Sequence, residues 1–314
     1  MTNIKTIARR EHVMTSSKLG KILLAGAALG LAACGGGGGG SGLNSTPTPP
    51  PAPTPPPPPP RPPGMIPAKI FPAVTASTDF AVIGSEATGP SFPLTAAGFS
   101  VRYDAASGAY ILDFPSTEPA AFYAYNTAVD IDNAYYWNGV AGVHEVSVRK
   151  PSNPELPLSY TTLATYGTFE DGSVPFGWLA FGSATPVGGV PVAGSASYTA
   201  EVAGSTIDRF HYVGGTATLQ FNFGAGTLSG HFDPVFLDAN GHLGRYDFVN
   251  TVYGSGSTIF SGQLSTAGIA QNGTFDGQFT GPNAQELMAR WNAPYVDLLT
   301  GQQSTIFGVW VGRN

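Results

Sequence analysis

The chain has 314 residues with 42 Gly, 28 Pro, a single Cys, 11% charged residues and a formal net charge of −6. One Cys excludes a disulfide framework and a Cys-based zinc site. The acidic balance argues against nucleic acid as a partner, because neutralising phosphates needs a basic face.

The first element is a leader. Lys18 and Lys21 precede the ten-residue apolar stretch Ile22 to Leu31, which is too short to span a bilayer and has the make-up of a secretory signal. Leu31-Ala32-Ala33-Cys34 closes it. This resembles a bacterial lipobox, in which the Cys is acylated and becomes the mature N-terminus; the alternative is a plain secretory signal with an incidental Cys. The chain's lone Cys stands where lipoprotein processing needs it, so residues 1–33 are expected to be removed and Cys34 lipidated. Gly35 in place of Asp favours the outer membrane as destination, with outer-membrane lipid as a partner through the acyl group. Removal of the leader takes five of the 14 basic and one of the 20 acidic residues, leaving a balance of −10. Charge will not draw such a chain to an anionic surface; its hold on the membrane is the acyl chain.

Residues 34–64 read as a tether. Six glycines, Gly35 to Gly40, are followed by 13 prolines between Pro47 and Pro63. The first part is flexible coil, and the second is a semi-rigid polyproline II rod about 50 Å long at roughly 3.1 Å per residue. It has almost nothing apolar to bury and is expected to be disordered.

From Met65 onward the chain reads as all-β. Short runs rich in Val, Ile, Thr, Tyr and Phe alternate with Gly, Asn, Asp and Pro; only Ala284 to Arg290 has the look of a short helix. Residues 65–190 are expected to form a smaller β domain. Phe99 to Tyr103 and Ala109 to Asp113 flank a Gly-ended turn as a hairpin, and Leu158 to Phe169 and Phe176 to Gly182 make a second pair. Ala120 to Val148 is a long loop or a small sheet. Residues 191–314 give eight predicted strands: 195–202, 216–223, 227–233, 245–252, 258–265, 273–280, 286–293 and 304–312. Thr216 to Phe223 alternates strictly, with Ala217, Leu219, Phe221 and Phe223 on one face and Thr216, Thr218, Gln220 and Asn222 on the other, so one face is buried and one wet. Eight short antiparallel strands in succession predict an up-and-down barrel, which leaves no free edge. The inward set is bulky: Tyr198, Leu219, Phe221, Phe223, Phe232, Phe248, Phe260, Phe275, Phe279 and Trp310. Gly230, Gly262, Gly277 and Gly308 fall mid-strand among them, where they make room for large neighbours or for bending. A filled core is expected rather than a cavity. The polar alternate face argues for a soluble barrel over a membrane-spanning one.

Several segments resemble the β-barrel domain of the transferrin-binding protein B-like surface lipoproteins. Phe181 to Pro186 with Pro191 to Tyr198 is similar to that family's lead-in to the barrel, and Gly215 to Gly230 to its first full hairpin. Gly273-Thr274-Phe275-Asp276-Gly277-Gln278-Phe279-Thr280-Gly281-Pro282, followed by Asn283 to Leu287, resembles its most recognisable motif. Ile306 to Arg313 resembles the closing strand. The match runs from about residue 176 to 314. The resemblance implies an anchored eight-stranded barrel, preceded by a handle-like β domain, that captures a ligand outside the cell or in the periplasm. Full-size members have two such lobes; this chain has room for one. The matching motifs are structural glycines and core aromatics, so no binding residue carries over.

No sequence motif for catalysis stands out: there is no G-x-S-x-G, P-loop, H-E-x-x-H or helix-preceding G-x-G-x-x-G, and no enzyme activity, catalytic residue or metal site is expected. Asp130-Ile131-Asp132-Asn133 lacks the Gly and Glu of a calcium loop and reads as an acidic turn. Two sets of residues remain as ligand-binding candidates. Tyr123, Tyr125, Tyr135, Tyr136 and Trp137 form an aromatic cluster of the type favoured at recognition surfaces; packing of the handle on the barrel is the alternative explanation. His211 and His242 lie in loops that meet at one barrel end, either as a haem-binding pair or as surface histidines. The function read from the chain is a lipid-anchored, outer-membrane binding lipoprotein with an extracellular or periplasmic ligand; a periplasmic haem or small-ligand carrier and a structural envelope lipoprotein are the alternatives.

Overall fold

The computed structural model describes residues 70–71, 73–87, 98–113, 120–122, 134–137, 144–151, 155–168, 176–207, 211–238, 241–297 and 300–314. The leader, Cys34 and the tether lie outside them.

The described residues are all-β, with no helix among them. The first nine strands are β1 (Thr78–Asp79), β2 (Ala81–Ala87), β3 (Ser100–Asp104), β4 (Ala109–Asp113), β5 (Ala120–Phe122), β6 (Ala134–Trp137), β7 (His144–Arg149), β8 (Thr161–Thr168) and β9 (Phe176–Gly182). They make two antiparallel sheets, a four-stranded one in the order β1-β3-β4-β5 and a five-stranded one in the order β2-β9-β8-β7-β6. The β3–β4 hairpin turns at Asp104 to Gly108, where Asp104 accepts the backbone N–H groups of Ala106 and Ser107, and Gly108 adopts φ 72°. Side chains from both sheets share one core, with Phe71 5.2 Å from Phe80 and Phe80 5.8 Å from Phe181 between ring centroids. The stretch Ala120 to Val148 supplies strands to both sheets. Strand β2 has no counterpart among the predicted strands; Ala-Val-Ile-Gly-Ser-Glu-Ala shows no alternation because its second half is buried on both faces.

The remaining eight strands are β10 (Ser195–Thr206), β11 (Tyr212–Asn222), β12 (Thr227–Phe236), β13 (Tyr246–Val252), β14 (Ile259–Ser265), β15 (Gly273–Thr280), β16 (Glu286–Val296) and β17 (Gln303–Arg313). Each pairs antiparallel with the next, and β10 pairs with β17, so the sheet closes into a barrel. The predicted strand 286–293 is present, and the helical look of Ala284 to Arg290 is not realised: Ala284 takes φ 55° and strand β16 follows, its Leu287, Ala289 and Trp291 facing the barrel core. A helix would turn Ala289 away from the face shared by Leu287 and Trp291, whereas the strand period of two puts all three inside.

The barrel interior is aromatic. Phe221 lies 4.8 Å from Phe279, 5.1 Å from Tyr253 and 5.2 Å from Phe260. Mid-strand glycines alternate with these rings across strand pairs. Phe260 stands opposite Gly277 and Gly262 opposite Phe275 on β14 and β15. A Cβ at Gly262 would fall 2.6 Å from the Phe275 ring, and one at Gly230 would fall 2.9 Å from the Phe248 ring. Each ring occupies the volume its glycine neighbour vacates, which is how close packing is reached in so narrow a barrel.

The five-stranded sheet lies against the outer wall of β16, β17 and β10. Leu158, Leu163, Phe176 and Trp178 from the sheet share a buried cluster with Met288, Phe307, Val309 and Val311 from the barrel. Strand β17 is therefore buried on both faces, inward through Ile306 and Trp310 and outward through Phe307, Val309 and Val311.

Candidate functional site

Among the described residues the barrel interior is filled by apolar and aromatic side chains. Of its four buried tyrosines, two turn their phenols to backbone: Tyr246 donates to the Pro294 carbonyl at 2.7 Å and Tyr198 donates to the Ala284 carbonyl, while the Tyr253 hydroxyl has no hydrogen-bond partner among the described residues. Burial pushes the Tyr246 hydroxyl up to about 12 and the Tyr198 hydroxyl higher still, so both stay neutral donors.

The two ends differ. One, here the near end, is formed by the segment 183–194 that brings the chain from β9, and by the turns 223–226, 253–258 and 281–285. The segment 183–194 straps across this end. Ala184 bridges Thr280, Val190 is buried in the barrel core, and the Gly194 carbonyl accepts the Phe223 N–H at 2.9 Å. The strap and the neighbouring β13–β14 turn carry exposed apolar side chains: Val187, Val192, Val252 and Ile259 are 98, 67, 66 and 64% exposed. Val252 and Ile259 flank the β13–β14 turn. The register of that pair shifts between Val249 and Val252, where Asn250 takes φ 50°. This bulge turns Val252 outward and Thr251 inward, where its hydroxyl donates to the Leu228 carbonyl at 2.8 Å. Sequence alternation gives no sign of Val252 as a surface residue, since it follows the pre-bulge register. Beside this rim, Ser195, Ser197, Gln220, Asn222, Thr227 and Ser229 line a shallow, open, uncharged groove on the outer wall.

The far end joins β10 to β11, β12 to β13, β14 to β15 and β16 to β17, and it is polar. The His211 ring packs 4.8 Å from the Phe236 ring, and its Nδ1 lies 3.2 Å from Asp238. His242 is exposed and forms an isolated bridge with Val235. The two histidines thus stand at the same barrel end, on either side of the end of β12. His231, on the outer face, pairs with Asp233 at 3.2 Å. Among the described residues no group of three or more His, Cys, Asp or Glu side chains could hold a metal ion, and the His211–Asp238 pair engages the Nδ1 side of that imidazole.

Of the predicted aromatic cluster, Tyr135, Tyr136 and Trp137 lie on β6 at the edge of the five-stranded sheet, opposite Val148, Ser147 and Val146. Tyr123 and Tyr125 lie outside the described residues, as do Asp130 to Asn133.

The joint between handle and barrel carries buried charge that has no periodic signature in the sequence. The Glu286 carboxylate at the start of β16 accepts the backbone N–H groups of Ser159 at 2.6 Å and Tyr160 at 3.0 Å. Beside it the hydroxyls of Thr161 and Thr280 are hydrogen-bonded, and Arg313 donates to the Pro157 carbonyl. On the barrel wall Arg149 of β7 pairs with Glu201 of β10 at 2.7 Å. Desolvation outweighs these favourable contacts and pushes both Glu201 and Glu286 above the ordinary 4.5. A raised folded-state value means the folded chain takes up protons first. The contribution of these two groups to stability is thus full below pH 4.5 and is lost as pH rises through their folded values. The stability difference between wild type and Glu201→Gln/Glu286→Gln is expected to shift toward wild type on acidification from pH 7 to 4.5. Urea unfolding across that range checks the sign.

No family model and no curated protein matches the chain. Solved structures do. Transferrin-binding protein B from Haemophilus parasuis Hp5, as a double mutant, is 16% identical over 74% of this chain and 44% of its own, with a TM-score of 0.44. The isotype 1 transferrin-binding protein B from serogroup B Neisseria meningitidis is 15% identical over 74% and 43%, with a TM-score of 0.45. A protein of unknown function of the DUF3598 family from Nostoc punctiforme is 9% identical over 75% and 95%, with a TM-score of 0.24. The chain spans less than half the length of the two transferrin-binding proteins; its own described residues are all-β and end in a closed eight-stranded barrel.

Proposed function

We propose that the protein is a lipid-anchored, non-enzymatic binding lipoprotein of the outer membrane, which captures an extracellular or periplasmic ligand on the outside of its barrel or on its handle. The observation that carries this reading is the filled interior. The small eight-stranded barrels that serve as carriers keep room for a ligand inside; here rings and strand glycines occupy that space. The barrel is therefore a rigid support, and recognition falls to its loops and to the handle, as is common for sites built on stable β scaffolds. The leader ending in Cys34 and the Gly- and Pro-rich stretch behind it support a module tethered to the lipid through the acyl group. A protein or an iron- or haem-related small molecule is the ligand class. The far end, with its charged loops and its paired His211, supplies the polar contacts such a ligand needs.

Membrane fractionation tests the anchor. Wild type is expected in the outer-membrane fraction, and Cys34→Ala is expected to leave it; retention of both alike removes the lipoprotein reading. Protease treatment of intact cells then tests the orientation. Cleavage within residues 35–64 with release of the folded part puts the ligand outside the cell, and full protection puts it in the periplasm.

A further inference from the structure

The near end of the barrel lacks charge as well as carrying exposed aliphatic side chains. Segments 183–194, 223–226, 253–258 and 281–285 contain no Asp, Glu, Lys, Arg or His. The nearest charged side chains, Glu286 and Arg313, turn to the handle backbone at Ser159, Tyr160 and Pro157. At the far end, by contrast, the connections 207–211, 237–245 and 297–302 contain Asp208, Arg209, Asp238, Arg245 and Asp297 besides the two histidines. Of the five large apolar side chains exposed among the described residues, four belong to the near end, and only Val296 sits at the far end. A single exposed aliphatic residue is ordinary; four around one uncharged rim form a surface suited to an apolar partner. Val192 lies against the turn that Val252 and Ile259 flank: a Cβ at Gly256, in the β13–β14 turn, would lie 3.2 Å from the Val192 side chain.

The chain that leads back to Cys34 enters the described fold in the handle core. Its first described residues, Ile70 and Phe71, pack with Phe80 and Phe181, and Phe71 is 5.9 Å from Phe181 between ring centroids. Phe181 precedes Gly182, the last residue of β9, from which the chain crosses to the near end through the Ala184–Thr280 bridge.

We propose that the near end is a bilayer-resting surface. Val187, Val192, Val252 and Ile259 enter the interfacial layer of the membrane that holds the Cys34 acyl group, and this contact aims the far end away from the lipid. The proposal takes its bilayer from the anchored-lipoprotein reading, but the contact is the barrel's own. With a mature balance of −10, an anionic surface repels most faces of the molecule; the uncharged rim is the one that approaches lipid without that opposition. Four aliphatic side chains are too few for binding from solution, but an acyl tether raises the local concentration of bilayer enough for a weak contact to set orientation. Because the rim carries no charge, the contact is expected to be insensitive to salt.

The test uses the acylated protein on phosphatidylcholine vesicles that contain a lipid-chain quencher. An environment-sensitive fluorophore is placed at Val252→Cys or at Val296→Cys, the acylated Cys34 sulfur being closed to the label. Quenching is expected at Val252 and not at Val296. Adding Val192→Asp and Ile259→Asp to the Val252→Cys chain is expected to lower the docked fraction about tenfold while flotation with the vesicles is unchanged. Equal quenching at the two positions, or quenching that the Asp pair leaves intact, overturns the proposal. So does protection of Val252 that grows with protein concentration in the absence of lipid, which assigns the rim to a second copy of the chain. A Val252 signal seen only with outer-membrane preparations, and lost when their proteins are digested, assigns it to a protein partner instead. Failure of the labelled chain to float marks failure of the anchor itself and takes the proposal with it.

Discussion

Gly308→Val is expected to prevent barrel closure, or to leave a barrel less stable by about 3 kcal/mol or more. Gly308 on β17 stands between Gly204 on β10 and Trp291 on β16, all three facing inward at one level of the barrel. The Trp291 indole lies over this pair of glycines; a Cβ at Gly204 would come 2.7 Å from it. At Gly308 the added Cβ would fall 2.6 Å from the Gly204 Cα and closer still to the Ala203 carbonyl oxygen. Those neighbours are backbone, so no rotamer change relieves the clash. The strands would have to separate at the seam where the barrel closes, breaking ladder hydrogen bonds between β10 and β17. Gly254→Ala is the control: a Cβ there meets nothing within 4 Å, and its effect is expected to stay within about 0.5 kcal/mol. Urea unfolding followed by tryptophan fluorescence separates the two. A Gly308→Val protein as stable as Gly254→Ala would show that the seam is looser than its packing implies.

The second large effect is expected at Trp310. Its ring lies 5.5 Å from Phe275 and 5.8 Å from both Phe232 and Phe248, and it is fully buried. Trp310→Ala removes the centre of this cluster and is expected to cost about 3–5 kcal/mol, because rings held by a closed barrel cannot collapse into the void. Trp310→Phe is expected to cost less than half as much. Among the described residues the Trp310 indole N–H has no hydrogen-bond partner, so phenylalanine keeps an aromatic contact while removing a buried, unsatisfied donor. Thermal unfolding of the two variants gives the comparison. A Phe variant as unstable as the Ala variant would mean that the indole N–H is satisfied by a buried water.

The barrel was largely legible in the sequence because its inner and outer faces differ chemically. Leu219, Phe221 and Phe223 alternate with Gln220 and Asn222, and the residue period of a strand is fixed by geometry. The reading weakened wherever a strand is covered on both sides. Strand β2 shows no alternation for that reason, and the handle-facing role of Phe307, Val309 and Val311 is invisible in a run that is apolar throughout. Gly308 could be noted as a mid-strand glycine, but its partner Gly204 lay beyond the predicted end of its strand at residue 202. Candidate binding residues were less legible. His211 and His242 were placed at one barrel end from loop order alone, and they stand there, but the Asp238 carboxylate beside His211 comes from a separate loop. Val252 owes its exposure to a bulge, and Val187 and Val192 to the path of a strap that crosses from one wall to another; neither leaves a periodic trace.

The pairing of β10 with β17 has a kinetic side. Thr199 meets Arg313 across that seam, so the contact that closes the barrel joins residues more than a hundred positions apart, and loop-closure entropy opposes it until everything between is in place. The same β17 supplies the wall on which the handle packs. Until the last strand emerges during synthesis, β10 and β16 are open edges, and the apolar face of the handle has no surface to cover. A chain interrupted short of residue 303 is thus left with two open strand edges and an exposed core, a combination prone to pair with other chains. Completion of the C-terminal strand is the step at which the molecule becomes safe from aggregation.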